Sequence, residues 1–118
     1  MMGATNNTNV TNRRRYEHIP FSVELTVVDL ADNRRYKGHS VNFSLGGVGF
    51  YCERFFESGA RVAVVPHLRG VPEHRLRPIT VTIRWSRVES DGAVMGAEFS
   101  QVLSATVHPE LYEALCNR

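Results

Sequence analysis

The chain has 118 residues, 42% hydrophobic and 22% charged, with a formal net charge of +2. That length holds one domain with a modest core, and so small a net charge excludes a protein that coats a polyanion through bulk charge. No apolar run approaches the ~20 residues of a membrane helix, and Cys52 and Cys116 are too few for a disulfide framework.

In chain order, Met1 to Asn12 is polar, rich in Asn and Thr, and has no apolar signal core; a disordered leader is expected over 1–12. Residues 13–19 follow as an arm that opens on Arg13-Arg14-Arg15, and Pro20 biases the residue before it toward extended backbone. Phe21, Val23, Leu25 and Val27 alternate with Ser22, Glu24 and Thr26, the period of a half-buried strand. Asp32-Asn33 is a plausible hairpin turn, with Arg34 to Val41 as the returning strand. A turn over Ser44 to Gly47 leads into a short strand, Val48 to Cys52.

Glu53 to Gly59 reads as a connector, with Phe55 and Phe56 expected against the barrel. Arg61 to Pro66 is another apolar strand, and His67 to Arg77, carrying Gly70 and Pro72, is expected as a long exposed loop. Ile79, Val81, Ile83 and Trp85 alternate with polar residues, Asp91-Gly92 marks a hairpin, and Ala93 to Phe99 forms the strand after it. Pro109 suits the first turn of a helix over about 109–117, whose Leu111, Tyr112 and Leu115 are expected to cover one barrel opening. The predicted class is all-β with a C-terminal helix: a single domain over 13–118, with a six-stranded antiparallel barrel over 20–103.

Two elements carry chemistry. Of fourteen basic residues thirteen are Arg and one, Lys37, is Lys. Planar guanidinium forks suit phosphates and the O6/N7 edge of guanine, although a GC-rich coding bias produces the same skew. Asn42-Phe43-Ser44-Leu45-Gly46-Gly47 offers an amide, a hydroxyl and glycines at a turn. Such residues suit a base or ribose approaching the backbone, and equally serve plain turn chemistry. An arginine-rich arm and this turn together point to a small anionic ligand containing guanine.

With these residues the sequence resembles the PilZ domain, the bacterial receptor module for cyclic di-GMP, whose signature is RxxxR followed by [D/N]xSxxG. Asn42-x-Ser44-x-x-Gly47 fills the second motif; in the first, counted from Arg14, His18 stands where the family has its second Arg. Thr82-Ile83-Arg84-Trp85 and Gly96-Ala97-Glu98-Phe99 look like the family's last two barrel strands. The resemblance implies a six-stranded PilZ barrel. It also implies that Arg14 meets a phosphate or guanine edge, supported by Arg13 and Arg15. Asn42 and Ser44 would bond guanine or its sugar-phosphate, and Gly47 would let backbone pass without a Cβ; Gly46 adds flexibility. Histidine is mostly neutral at pH 7 and offers fewer donors than Arg, so His18 implies weakened, pH-tuned or lost binding, or packing at the barrel mouth. Trp85 is either core or a stacking platform at the site, and Arg87 a further candidate cation.

The expected function is a cytoplasmic, single-domain cyclic di-GMP receptor that signals through an unidentified protein partner in trans. The alternative is a PilZ-like interaction module that has lost the ligand. A barrel for single-stranded nucleic acid requires aromatics interleaved with basic residues on one face, which Phe21 to Val27 does not supply. No nucleic-acid polymer and no membrane are expected as partners. Nor is an enzyme: the chain has no HExxH, no P-loop and no recognisable Ser/His/Asp motif. His39, His67, His74 and His108 are not at metal-ligand spacing, so neither metal nor resident cofactor is expected, only the cyclic di-GMP ligand.

Overall fold

The computed structural model describes residues 17–117; the predicted leader over 1–12 and Arg13, Arg14 and Arg15 lie outside them. Seven strands and one α-helix follow in order: β1 Ile19–Pro20, β2 Glu24–Asp29, β3 Arg35–Phe43, β4 Gly47–Cys52, β5 Arg61–Pro66, β6 Ile79–Glu89, β7 Gly92–Phe99 and α1 Pro109–Cys116. The antiparallel sheet runs β1-β3-β2-β5-β6-β7-β4, and pairing of β3 with β4 closes it into a six-stranded barrel with β1 as an extra strand. Period-two patterning does what the sequence predicts. Leu25 and Val27 of β2, Val62 and Val64 of β5, and Ile79, Val81 and Ile83 of β6 all point into one core.

The first strand departs from its predicted span. Phe21 and Val23 are only half-buried and do not belong to β2. Instead Ser40, buried on β3, bridges the break: its Oγ donates to the Phe21 carbonyl (2.6 Å) and accepts from the Val23 N–H (2.9 Å). The break lets β1 pair with the far end of β3, Ile19 opposite Phe43 and Pro20 opposite Asn42, while β2 pairs with its near end. The chain upstream of the barrel is thereby laid alongside the residues that follow Phe43.

Two smaller expectations also change. Phe56 is buried as predicted, but its neighbour Phe55 is 43% exposed, because adjacent side chains on extended backbone point to opposite sides. The segment 67–77 is not wholly exposed: Leu68 is buried, and Glu73–Arg75 forms a 3-10 turn. The hairpin turn does close at Asn33, which takes a left-handed φ of 64°, a conformation that Asn tolerates better than most residues. Cys52 is fully buried, and burial pushes its thiol up from the ordinary value; Cys116 is exposed.

Helix α1 adds Leu111 and Leu115 to the barrel core and is fixed at its start by His108. The imidazole accepts from the Leu111 N–H at Nδ1 (3.2 Å) and donates from Nε2 to the Arg77 carbonyl (3.1 Å). One buried ring therefore caps the helix and ties it to the end of the 67–77 segment. Glu110 adds to that tie by accepting from Arg77 (3.1 Å); its own backbone N–H, and then Arg77, hold its carboxyl below the ordinary value. His108→Ala leaves the Leu111 N–H and the Arg77 carbonyl without these partners. We expect a loss of about 1–2 kcal/mol, read as a lower urea midpoint with an unchanged slope. An unchanged midpoint would show that water replaces the cap.

Candidate ligand-binding site

The site begins at an irregularity in β3. Its register against β4 shifts between Ser40 and Asn42, leaving Val41 as an extra, half-exposed residue. Beyond the shift Asn42 faces Gly49, and a Cβ built on Gly49 would lie 2.9 Å from Asn42 Oδ1. The amide of Asn42 thus lies across Gly49, in space that a Cβ there would crowd. Asn42 itself is a strand residue rather than part of the turn.

The turn follows at once. The Ser44 N–H donates to the Gly47 carbonyl (2.9 Å), and Ser44 Oγ accepts from the N–H groups of Gly46 (3.2 Å) and Gly47 (3.1 Å). Ser44 is therefore the internal brace of its own turn, and its hydroxyl hydrogen is left to donate outward. The end of β7 and the segment after it hold the turn from outside: Phe99 N–H donates to the Gly46 carbonyl and Leu103 N–H to the Leu45 carbonyl, both at 2.8 Å. At Gly47 the space a Cβ would need is filled by the Ala97 carbonyl of β7. That glycine is required by the neighbouring strand, not only by a ligand's approach.

The facing wall is built by β6 and β7, and again by a shifted register. Ile83 pairs with Ala97, but Trp85 pairs with Gly96, leaving Arg84 as an extra residue. The predicted alternation breaks there. Ile83 stays in the core, whereas Trp85 is turned out and is 48% exposed. Its indole lies over Gly96, where any Cβ would collide with the ring. Arg84 reaches across to Glu98, donating from Nε (2.8 Å) and also from Nη2.

Between these walls is an open cavity of about 380 Å³. It brings together His18, Asn42, Ser44, Gly46, Gly47 and Trp85, with Arg84 and Glu98 also lining it. Arg87 does not line it and instead pairs with Glu89 at 3.0 Å. Sequence reasoning did not single out Gly49, Gly96, Arg84 or Glu98 as site residues. The spacing Gly47-x-Gly49 held a signal for the first; no local pattern announces the shift that exposes Arg84. The chemistry offered is an aromatic face, an amide, a hydroxyl donor, uncovered glycine backbone and a guanidinium. No cluster of metal-ligating side chains occurs among the described residues.

The small closed barrel thus sets a cavity beside its motif turn. The family model for the PilZ domain matches residues 12–116, and the chain belongs to the PilZ domain family. Solved structures share the fold at low identity. The Bacillus subtilis inhibitor of motility, MotI/DgrA, is 20% identical with a TM-score of 0.63, over 90% of this chain and 50% of that one. The chain thus spans half the length of that relative. The PilZ domain of YcgR from Escherichia coli, solved with c-di-GMP, is 19% identical with a TM-score of 0.62, over 89% and 90%. The PilZ domain of CeSA from a cellulose-synthesising bacterium is 11% identical with a TM-score of 0.57, over 86% and 96%. No curated protein sequence matches. No helix among the described residues is long and apolar enough to cross a membrane.

Proposed function

We propose that this domain is a bacterial, cytoplasmic receptor for cyclic di-GMP that works by binding rather than catalysis and signals to a protein partner in trans. The observation that carries the reading is the convergence of His18, Asn42, Ser44, Gly46, Gly47 and Trp85 on one cavity. Family membership supports the choice of ligand. In this reading Asn42 and the Ser44 hydroxyl bond the guanine or its sugar-phosphate, and Trp85 stacks on a base, a contact worth ~1–3 kcal/mol in nucleic-acid complexes. Arg13, Arg14 and Arg15 belong to an arm over 13–19 that closes on the phosphates, preceded by the leader 1–12. His18 sits where the arm meets the barrel.

Titration calorimetry with cyclic di-GMP, with GMP as control, tests the reading. Saturable heat with the cyclic dinucleotide alone is the expected result. No heat would favour the alternative, an interaction module without the ligand, for which His18 in the second Arg position of the motif is the specific argument.

The same titration makes a prediction for His18, which is exposed at the cavity. Arginine there supplies a permanent charge and a planar donor fork. His18→Arg should tighten binding by about tenfold, the ~1.4 kcal/mol of a modest charge-assisted contact. An arginine variant no tighter than the native chain would remove His18 from the binding surface.

A further inference from the structure

We propose, resting on the reading above, that Glu98 holds Arg84 in the empty site and that the anionic ligand takes this guanidinium over, so that the pair sets the affinity. Arg84 and Glu98 are the guanidinium and the carboxylate that line the cavity among the described residues, and they are bound to each other. Glu98 stands in register with Gly47, the last glycine of the motif turn. A ligand phosphate brought to that turn meets a negative charge unless Arg84 offsets it.

The pair is built to be broken. Its side chains are 61% and 56% exposed, and exposed ion pairs contribute little, typically ~0–1 kcal/mol. The Arg54–Asp29 pair is the contrast. Asp29 is only 13% exposed there, and the Arg54 guanidinium lies over the rings of Tyr36 and Phe56 at 5.1 and 4.7 Å. That arginine is held on several sides, whereas the Arg84 side chain is held, among the described residues, by Glu98 alone.

The backbone favours the same role. Arg84 is the extra residue of the register shift, and the Ser58 hydroxyl donates to its carbonyl at 3.0 Å. The main chain is thus anchored while the side chain is free to swing from Glu98 toward a phosphate beside Trp85. Glu98 then acts as a brake on affinity, and Arg84 as a ligand contact from the barrel side of the cavity.

The test compares cyclic di-GMP affinities of the native chain, Glu98→Gln, Arg84→Ala and the double variant by calorimetry at one low ionic strength, with melting temperatures as a fold check. Glu98→Gln should bind about threefold to tenfold tighter, because the competing carboxylate is gone. Arg84→Ala should bind roughly tenfold to hundredfold weaker, losing a charge-assisted contact and leaving Glu98 bare. The double variant should fall between the native chain and Arg84→Ala. A Glu98→Gln protein that binds no tighter than the native chain overturns the proposal, since a pair that merely shapes the site is weakened from either side. If Arg84→Ala does not fold, the Glu98→Gln comparison decides alone. Silence from both native and Glu98→Gln proteins sinks the binding reading itself, whereas a silent native chain beside a binding Glu98→Gln variant supports the brake.

Discussion

Replacing Phe43 by Ala should lower the unfolding free energy by about 3–5 kcal/mol, the usual cost of truncating a buried aromatic side chain. Phe43 is fully buried and sits between Phe21, at a ring separation of 5.8 Å, and Phe99, at 6.4 Å. It is also the residue between Asn42 and Ser44, and the cross-strand partner of Ile19. The cavity left behind therefore opens under the motif turn and under the base of the arm together. A domain of this size has a total stability of roughly 5–15 kcal/mol, so the variant should be partly unfolded near physiological temperature. Urea unfolding followed by fluorescence of Trp85 measures the loss, and a cost below about 1 kcal/mol would mean that neighbouring side chains collapse into the space. Phe43→Leu, which keeps most of the volume, should recover much of the stability.

The second large effect belongs to Gly47→Ala. One methyl group here has nowhere to go, because the atom in its way is the main-chain carbonyl of Ala97, not a side chain that can rotate aside. Strand β4 must move away from β7 at the floor of the cavity, and overpacking of this kind costs ~1–3 kcal/mol or more. The displaced segment carries the N–H that donates to Ser44 Oγ, so the turn loses its brace in the same step. Stability and ligand affinity should fall together in thermal melts and calorimetry. By contrast, Ser44→Ala adds no clash: it removes the brace together with the hydroxyl proposed to bond the ligand, and should cost only about 1 kcal/mol of stability. A Gly47→Ala protein with native melting temperature but no affinity would mean that the glycine serves only the ligand's approach.

The cavity lies where two devices of the sheet meet. One is the break at Phe21 to Val23, stitched by Ser40, which carries the incoming chain past the end of β3. The other is the pair of register shifts, in β3 before Asn42 and in β6 before Trp85. Shifts of this kind bend a strand and re-aim its side chains. Here one lays the Asn42 amide across Gly49, and the other lifts Trp85 out of the core and over Gly96. The polar and aromatic sides of the site are thus placed by the same kind of irregularity.

The sequence by itself determined the barrel. Alternation at Leu25 and Val27 and from Ile79 to Ile83 states which faces are buried, because successive side chains of a strand point to opposite sides. Asn33 states where one hairpin closes, since Asn takes its left-handed φ at lower cost than most residues. The other closes at Ser90-Asp91, one residue before the expected Asp91-Gly92, because Gly92 already pairs with Glu89 as the first residue of β7. Asn42, Ser44 and Gly47 were legible as a motif, and His18 as its departure, through the resemblance to the PilZ signature. Only the tertiary structure decided that Asn42 lies on a strand, that Gly47 is demanded by the Ala97 carbonyl, and that Trp85 faces outward with Arg84 bound to Glu98. The reason is that a register shift is a property of two strands: it depends on which residues exchange hydrogen bonds across the ladder. The alternation within β6 runs unbroken from Ile79 to Trp85, and nothing in that run marks the position at which β7 stops matching it.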